Sequence, residues 1–253
     1  MKVRIDKLLV DRGLAASRER AQGLILAGRV LVNEQKIEKS GASIEADADV
    51  RLLGEDLKYV SRGGLKLEAA LQHWNIDLTG RRCMDVGAST GGFTDCMLQH
   101  GAEEVIAVDT GYGQIAARLR SDSRVKLLEK TNARYLTVEH LQQINASPGI
   151  SFIAMDVSFI SVTLVLPAVI QAVFAAPEAK NGDIVVLIKP QFEVGRELVG
   201  KGGIVKDERA WRLAVMKVRE AVRALGGSDI EVIDSPITGM EGNREFLLHA
   251  KFR

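Results

Sequence analysis

The chain has 253 residues, of which 46% are apolar and 26% charged, with a formal net charge of +1; that is the composition of a globular protein with room for one full core and a smaller appendage. Two cysteines, Cys83 and Cys96, support neither a disulfide framework nor a zinc site, and no metal is expected. The start, Met1 to Asp6, lacks the apolar core of a signal peptide, and the longest apolar run, Val162 to Ala176, is interrupted by Gln171, so neither secretion nor a membrane span is expected and the location is read as cytoplasmic.

The small net charge hides an asymmetry. Residues 1 to 40 carry nine basic side chains (Lys2, Arg4, Lys7, Arg12, Arg18, Arg20, Arg29, Lys36, Lys39) against five acids, while 41 to 57 carry five acids against Arg51 alone. The spacing predicts a helix from Arg4 to Arg12 with Ile5, Leu8 and Leu9 on one face, and a second, capped by Ser17, with Ala21, Leu24 and Ile25 inward and its end at Gly28. Val30 to Val32 and Lys36-Ile37, separated by Asn33-Glu34-Gln35, read as a hairpin. Any one arginine here is by default a solvated surface charge. The series R-I-D-K-L-L-V-D-R-G-L, then S-R-E-R-A-Q-G-L-I-L-A-G-R-V-L-V-N-E-Q-K, however, resembles the S4 RNA-binding domain. The resemblance implies structured RNA approached through its phosphates, with Arg4, Arg12, Arg18, Arg20, Arg29 and Lys36 as the contacts.

The expected organisation is an S4-like domain over 1–56, a linker over 57–60 that follows an acidic stretch, and a larger domain over 61–253. Ser61-Arg62-Gly63-Gly64 opens a helix from Leu65 to Trp74. Strands are expected at 82–87, 105–109, 125–129, 151–156, 184–189, 230–235 and 244–252, with helices between most neighbours and an antiparallel pair at the end. That pattern predicts an α/β, doubly wound, Rossmann-like methyltransferase fold behind a small α+β domain.

The first of these strands runs through Asp85 into a loop of small residues, Gly87-Ala88-Ser89-Thr90-Gly91-Gly92-Phe93, and the second ends at Asp109. Small residues allow close backbone approach, and an acid roughly 20 positions on can hold a ribose diol. Gly87-x-x-x-Gly91-Gly92 matches neither the dinucleotide spacing nor a P-loop. The reading is therefore a cofactor without phosphates, S-adenosylmethionine, contacted by Asp85, Gly87, Ala88, Ser89, Gly91, Gly92, Phe93 and Asp109, with Asn132 at the adenine end and Asp156 near the sulfonium methyl.

Two further apolar strands end in polar residues, Asp156 and Lys189. With Lys66 and Glu245 these belong to blocks that span nearly the whole chain: S-R-G-G-L-K-L, D-V-G-A-S-T-G-G-F-T-D, A-V-D-T-G-Y-G-Q, T-N-A-R, M-D-V-S-F-I-S, I-K-P-Q-F-E-V-G and G-N-R-E-F. They resemble the TlyA family, also known as hemolysin A, and more broadly the FtsJ-like ribose methyltransferases. The resemblance implies a catalytic tetrad of Lys66, Asp156, Lys189 and Glu245 and methylation of cytidine 2'-hydroxyls in ribosomal RNA. The chemistry needs a base, because a ribose hydroxyl is a weak acid; Lys189 is assigned that role, with Lys66 tuning the field and the carboxylates orienting lysines and ribose. Methylation of a base amino group is the enzymatic alternative, and Asp156-Val157-Ser158-Phe159 lacks the prolines that such a site usually has. A membrane-acting hemolysin, as the older name suggests, finds no physical support in these residues, and an RNA-binding module with a decayed enzyme would not keep the loop and tetrad intact.

Overall fold

A computed structural model describes residues 2–15, 17–53, 58–146, 149–174, 181–239 and 242–252. The chain divides into two compact units, Met1–Leu57 and Lys58–Arg253. Leu57, in the segment expected as a linker, lies outside the described residues, as do 54–56.

In the first unit β1 (Lys2–Arg4) runs straight into α1 (Ile5–Asp11), followed by α2 (Arg18–Leu26), β2 (Val30–Val32), β3 (Gln35–Lys36), β4 (Ser43–Glu45) and β5 (Val50–Leu52). Ser17 caps α2, its hydroxyl accepting from Arg20 N at 3.2 Å, and Ile5, Leu8, Leu9, Ala21, Leu24 and Ile25 form the core with Val30, Val32 and Val50. The hairpin turns on Asn33 and Glu34, both in the left-handed region (φ 49° and 64°), the backbone that matches the twist of a two-residue hairpin. The acidic segment after residue 41, for which no strand is expected, is part of the fold of the first unit. It supplies β4, antiparallel to β1, and β5, antiparallel to β2. Each is three residues long, and a charge interrupts or ends each run (Ser43-Ile44-Glu45, Val50-Arg51-Leu52), too short for alternation to declare itself.

The second unit contains α3 (Gly63–His73), β6 (Arg82–Val86), α4 (Gly92–Gln99), β7 (Glu104–Val108), α5 (Ala117–Arg120), β8 (Val125–Leu128), α6 (Val138–Gln143), β9 (Ile150–Met155), α7 (Leu166–Phe174), β10 (Gly182–Ile188), α8 (Pro190–Glu193), α9 (Glu208–Ala224), β11 (Ser228–Asp234) and β12 (Phe246–Phe252). The strands form one sheet in the order β11-β12-β10-β9-β6-β7-β8. β8, β7, β6, β9 and β10 are parallel, and β12 runs antiparallel to both β10 and β11. The expected antiparallel ending is present, with β12 inserted between β10 and β11.

Alternation along β9 divides the core. Phe152 and Ala154 pack with Leu67 and Ala70 of α3 and Cys96 and Met97 of α4; Ile153 and Met155 pack on the opposite face with Val169 of α7 and Ala214, Val218 and Val222 of α9. A sheet buried on both faces needs apolar side chains at consecutive positions, which is why β9 and β10 read as unbroken apolar runs. The polar residues that end these runs therefore gather at one edge of the sheet.

Candidate active site

The ends of four parallel strands, the start of β12 and the helix α3 supply the site. Asp85, at the end of β6, is completely buried; its Oδ2 accepts from Thr94 N at 2.8 Å and from Thr94 Oγ1 at 2.6 Å. Asp109 follows β7, its Oδ2 accepting from Ser89 N at 2.8 Å and its Oδ1 from Gly111 N at 2.6 Å. The carboxylate thus ties the small-residue loop to the next strand. Gly87 has φ +90°, and a Cβ there would stand 2.4 Å from the carbonyl oxygen of Asp156, so only glycine lets this loop lie against the end of β9. Gly91, the N-cap of α4, is also left-handed at φ +94°.

Asp156 follows β9 and Lys189 follows β10, the neighbouring strand. Lys189 Nζ stands 2.5 Å from Asp156 Oδ1 and donates to Ser158 Oγ at 2.7 Å. The contact with Asp156 is ionic and lies off hydrogen-bonding angles, leaving buried Oδ1 without a hydrogen-bond partner. Across β10, Ile188 is in register with Phe246 of β12, which brings the preceding residue, Glu245, to the same rim. Lys66, in the second turn of α3, donates to Glu245 Oε2 at 2.5 Å. Both are buried, at 8% and 3% exposure. A helix lysine and a residue at the start of a strand are ordinarily solvated, and the burial of this pair departs from that. The four residues of the expected tetrad thus come to the rim as two ion pairs, each lysine held by one carboxylate.

Two of the expected cofactor contacts face elsewhere. Phe93 is buried in the core with Leu67 and Cys96, and the Asp85 carboxylate is directed at the first turn of α4. A strand-loop-helix pattern does not say which side chains turn inward, and these two do. The Asp85 carboxyl responds to this environment. Burial, reinforced by the like charges of Asp156 and Asp109 and opposed by the Thr94 hydrogen bonds, pushes it up to about 7. Ala88 is buried, Ser89 is exposed, and Gly92 opens α4. Asn132 is exposed and caps a short 3-10 turn, its Oδ1 accepting from Arg134 N at 3.0 Å.

The reading of the chain missed Ser158, the hydroxyl partner of Lys189, and Phe159, which is 92% exposed with φ +64°. A bulky residue in the left-handed region is a strained one, and such strain collects at functional sites. The Phe159 ring lies against Phe192, centroids 5.5 Å apart. Both belong to the M-D-V-S-F-I-S block, in which Ser158 and Phe159 enter the sequence reading only as part of the turn that lacks prolines.

In the first unit Arg4 and Arg18 converge on the buried Asp6, with contacts of 2.8 Å and 2.9 Å. Hydrogen bonds from Arg4, then Arg18 and Gln22, outweigh burial and hold the Asp6 carboxyl well below the usual range. Arg12 donates to the carbonyls of Ala46 and Ala48, and Arg29 to that of Leu53. These two arginines anchor the β4-β5 segment as well as carrying charge. Lys36 is exposed on β3, and Arg20 lies in the first turn of α2.

Residues 59–252 match the FtsJ-like methyltransferase family and residues 3–50 match the S4 domain. The chain belongs to the FtsJ-like methyltransferase family. It is 41% identical over 248 residues to the 16S/23S rRNA (cytidine-2'-O)-methyltransferase TlyA of Mycobacterium tuberculosis, covering 98% of this chain and 89% of that one. A solved structure from Streptococcus thermophilus, described as a hemolysin, is 41% identical with a TM-score of 0.74 and covers 99% of this chain and 88% of its own. At 14% identity a Listeria monocytogenes structure, described as an S-adenosylmethionine-dependent methyltransferase, shares the fold of the larger unit, with a TM-score of 0.53 over 76% of this chain and 100% of that one. Among the described residues no helix is long and apolar enough to cross a membrane.

Proposed function

We propose that this protein methylates the 2'-hydroxyl of a cytidine ribose in ribosomal RNA, using S-adenosylmethionine. The observation that carries the reading is the placement of Lys189 at the end of β10, 2.5 Å from Asp156 and 2.7 Å from Ser158. A neutral amine has two N–H bonds and one lone pair. Ser158 accepts one N–H bond and Asp156 holds the amine by ionic contact, so that in its neutral form Lys189 keeps a lone pair to receive the proton of an attacking hydroxyl.

The residues around the loop suit a cationic, phosphate-free cofactor. Asp85, Asp109 and Asp156 end three strands that are neighbours in the order β9-β6-β7, and the like charges of Asp156 and Asp109 add to burial in raising the Asp85 carboxyl. Asp156 Oδ1 is a buried acceptor with no hydrogen-bond donor of its own. Gly87, Ser89, Gly91 and Gly92 would offer backbone to the methionine portion, Asp109 an acceptor for the ribose diol, and Asn132 a polar group for the adenine. When bound, S-adenosylmethionine supplies a methyl carbon on a positive sulfur. In this site Lys189 takes the hydroxyl proton, Asp156 and Ser158 hold Lys189 in place, and the Lys66–Glu245 pair fixes the charge beside it. Phe159 offers an exposed aromatic face on which a base can stack beside the reacting ribose.

The basic face of the first unit supplies affinity for structured RNA through Arg4, Arg12, Arg18, Arg20, Arg29 and Lys36, and ribosomal subunits are the partner. The reading is tested by incubating the full chain with methyl-labelled S-adenosylmethionine and ribosomal subunits, then mapping the label by mass spectrometry. The expected product is a cytidine methylated on ribose. Label on a base, or none on RNA, would overturn the reading.

A further inference from the structure

Glu193 ends α8, four residues after Lys189, and its side chain is only 2% exposed. Its carboxylate faces the loop that follows the neighbouring strand β9. Oε2 accepts from Ser161 Oγ at 2.5 Å, and Oε1 accepts from Val162 N at 2.7 Å. Lys217 of α9 closes the arrangement. Its Nζ donates to the carbonyl of Glu193 at 2.8 Å and to Ser161 Oγ at 3.2 Å, and stands 3.3 Å from the Glu193 carboxylate. Three elements therefore meet on one buried charge.

We propose that Glu193 is a positioning residue for methyl transfer, bracing the loop that carries Asp156 and Ser158 against Lys189. The inference rests on the reading of Lys189 as proton acceptor. β9 and β10 are already paired, from Phe152 to Met155 against Asp183 to Val186, so the sheet itself does not need the brace. What lies beyond the paired residues is the segment from Asp156 to Ser161, which includes the left-handed Phe159. A bulky residue holds that conformation only where its surroundings impose it. One end of the segment is fixed by Asp156 N donating to Val86 O at 2.9 Å; the other is fixed by Glu193 at Ser161 and Val162. Between the two anchors Ser158 and Asp156 are presented to Lys189, and Phe159 to the Phe192 ring. Freed at the Glu193 end, the segment relaxes and both partners of Lys189 shift. A buried carboxylate is expensive to retain unless it is paired and hydrogen-bonded; the partners that satisfy Glu193 are the ones that fix this segment.

The test uses the full chain with Glu193→Gln, which keeps the shape but loses the charge that gathers Ser161 and Lys217. Ser161→Ala and Lys217→Met provide milder breaks of the same brace should the first variant fail to fold. Rates are measured on ribosomal subunits, and cofactor affinity by calorimetry. The expected result is a fall in kcat of about ten- to a hundredfold, the cost of a small misplacement of catalytic groups, larger than any accompanying change in RNA KM or cofactor Kd. A folded brace variant with wild-type kcat, or a defect confined to KM, would overturn the proposal. Wild type and Lys189→Ala are run in parallel. If wild type transfers methyl and Lys189→Ala does not, a normal Glu193→Gln defeats the brace alone; if Lys189→Ala is fully active, the reading of Lys189 falls and takes the brace with it.

Discussion

Lys66 and Glu245 are 179 residues apart in the chain and meet at 2.5 Å, both buried at the rim of the sheet. Taking two charges out of water is costly, and removing one partner leaves the other stranded. Lys66→Met alone should therefore destabilise the larger unit by about 3–5 kcal/mol, whereas Lys66→Met with Glu245→Leu should recover most of that loss. Methyl transfer should stay absent in the double variant. Denaturant titrations of the four proteins of the cycle measure this. Full activity in the stable double variant would show that the pair serves the fold and not the reaction.

Lys189→Ala should abolish methyl transfer while leaving the protein folded and able to bind cofactor and RNA, because the lost interaction acts in the transition state. Lys189→Arg should fail as well. A guanidinium keeps the positive charge beside Asp156 and Ser158 but cannot give up a proton to become a base. Single-turnover assays compare the three proteins, and an active Arg variant would reassign proton transfer to Asp156 or water.

Most of the larger unit could be read in the chain because buried parallel strands are short apolar runs, and Asp156 and Lys189 stand out as the polar residues that end them. The pairing of Lys66 with Glu245 could not be read, since nothing local distinguishes a buried helix lysine from a solvated one; family resemblance carried that assignment. Asp85 and Phe93 show the opposite failure. Their place in a cofactor-type loop suggested contact, but side-chain direction depends on the packing of α4 against α3, which periodicity does not encode. β4 and β5 were hidden by their length. Glu193 and Ser161 lay in quoted motifs without a role, because their connection runs between loops and exists only in three dimensions.

The raised Asp85 carboxyl gives the larger unit a pH signature. Its folded value of about 7 lies above the roughly 3.9 of an unfolded aspartate. The folded state therefore holds more protons between those values, and stability falls as pH rises from about 4 through 7. Asp85→Asn should raise the melting temperature of the cofactor-free protein at pH 8 and change it little at pH 4. Binding of a cationic cofactor should favour the charged carboxylate, so calorimetry near pH 6.5 in buffers of different ionisation enthalpy should register proton release. Equal stability effects at pH 4 and pH 8 would contradict this account.

Phe159 provides a test that separates recognition of the substrate from binding of the cofactor. The residue is 92% exposed and lies within the segment from Asp156 to Ser161, so Phe159→Ala removes little from the core. Stacking of a base on an aromatic ring is worth roughly 1–3 kcal/mol, and the variant should lose about that much in kcat/KM for RNA with unchanged cofactor affinity. Phe159→Trp should retain most of the activity. Wild-type kcat/KM in the Ala variant would mean that the exposed ring does not meet the substrate.

The last prediction concerns Arg18, which shares Asp6 with Arg4 at the start of the chain. Asp6 is buried and holds both guanidiniums in place, while their side chains remain more than half exposed; the arrangement presents two fixed positive groups with part of each still free to meet phosphate. Arg18→Glu with Arg20→Glu should weaken RNA binding and flatten its dependence on salt, because each lost phosphate contact lowers the slope by about 0.9 on duplexes and 0.7 on single strands. Asp6→Asn should act in the same direction despite adding net positive charge, since it releases the two arginines from their common anchor. Cofactor affinity should be unaffected in both proteins, as the cofactor loop and Asp109 belong to the other unit. Salt titrations of RNA binding provide the measurement, and stronger binding by Asp6→Asn would show that net charge, not the fixed geometry of Arg4 and Arg18, governs the contact.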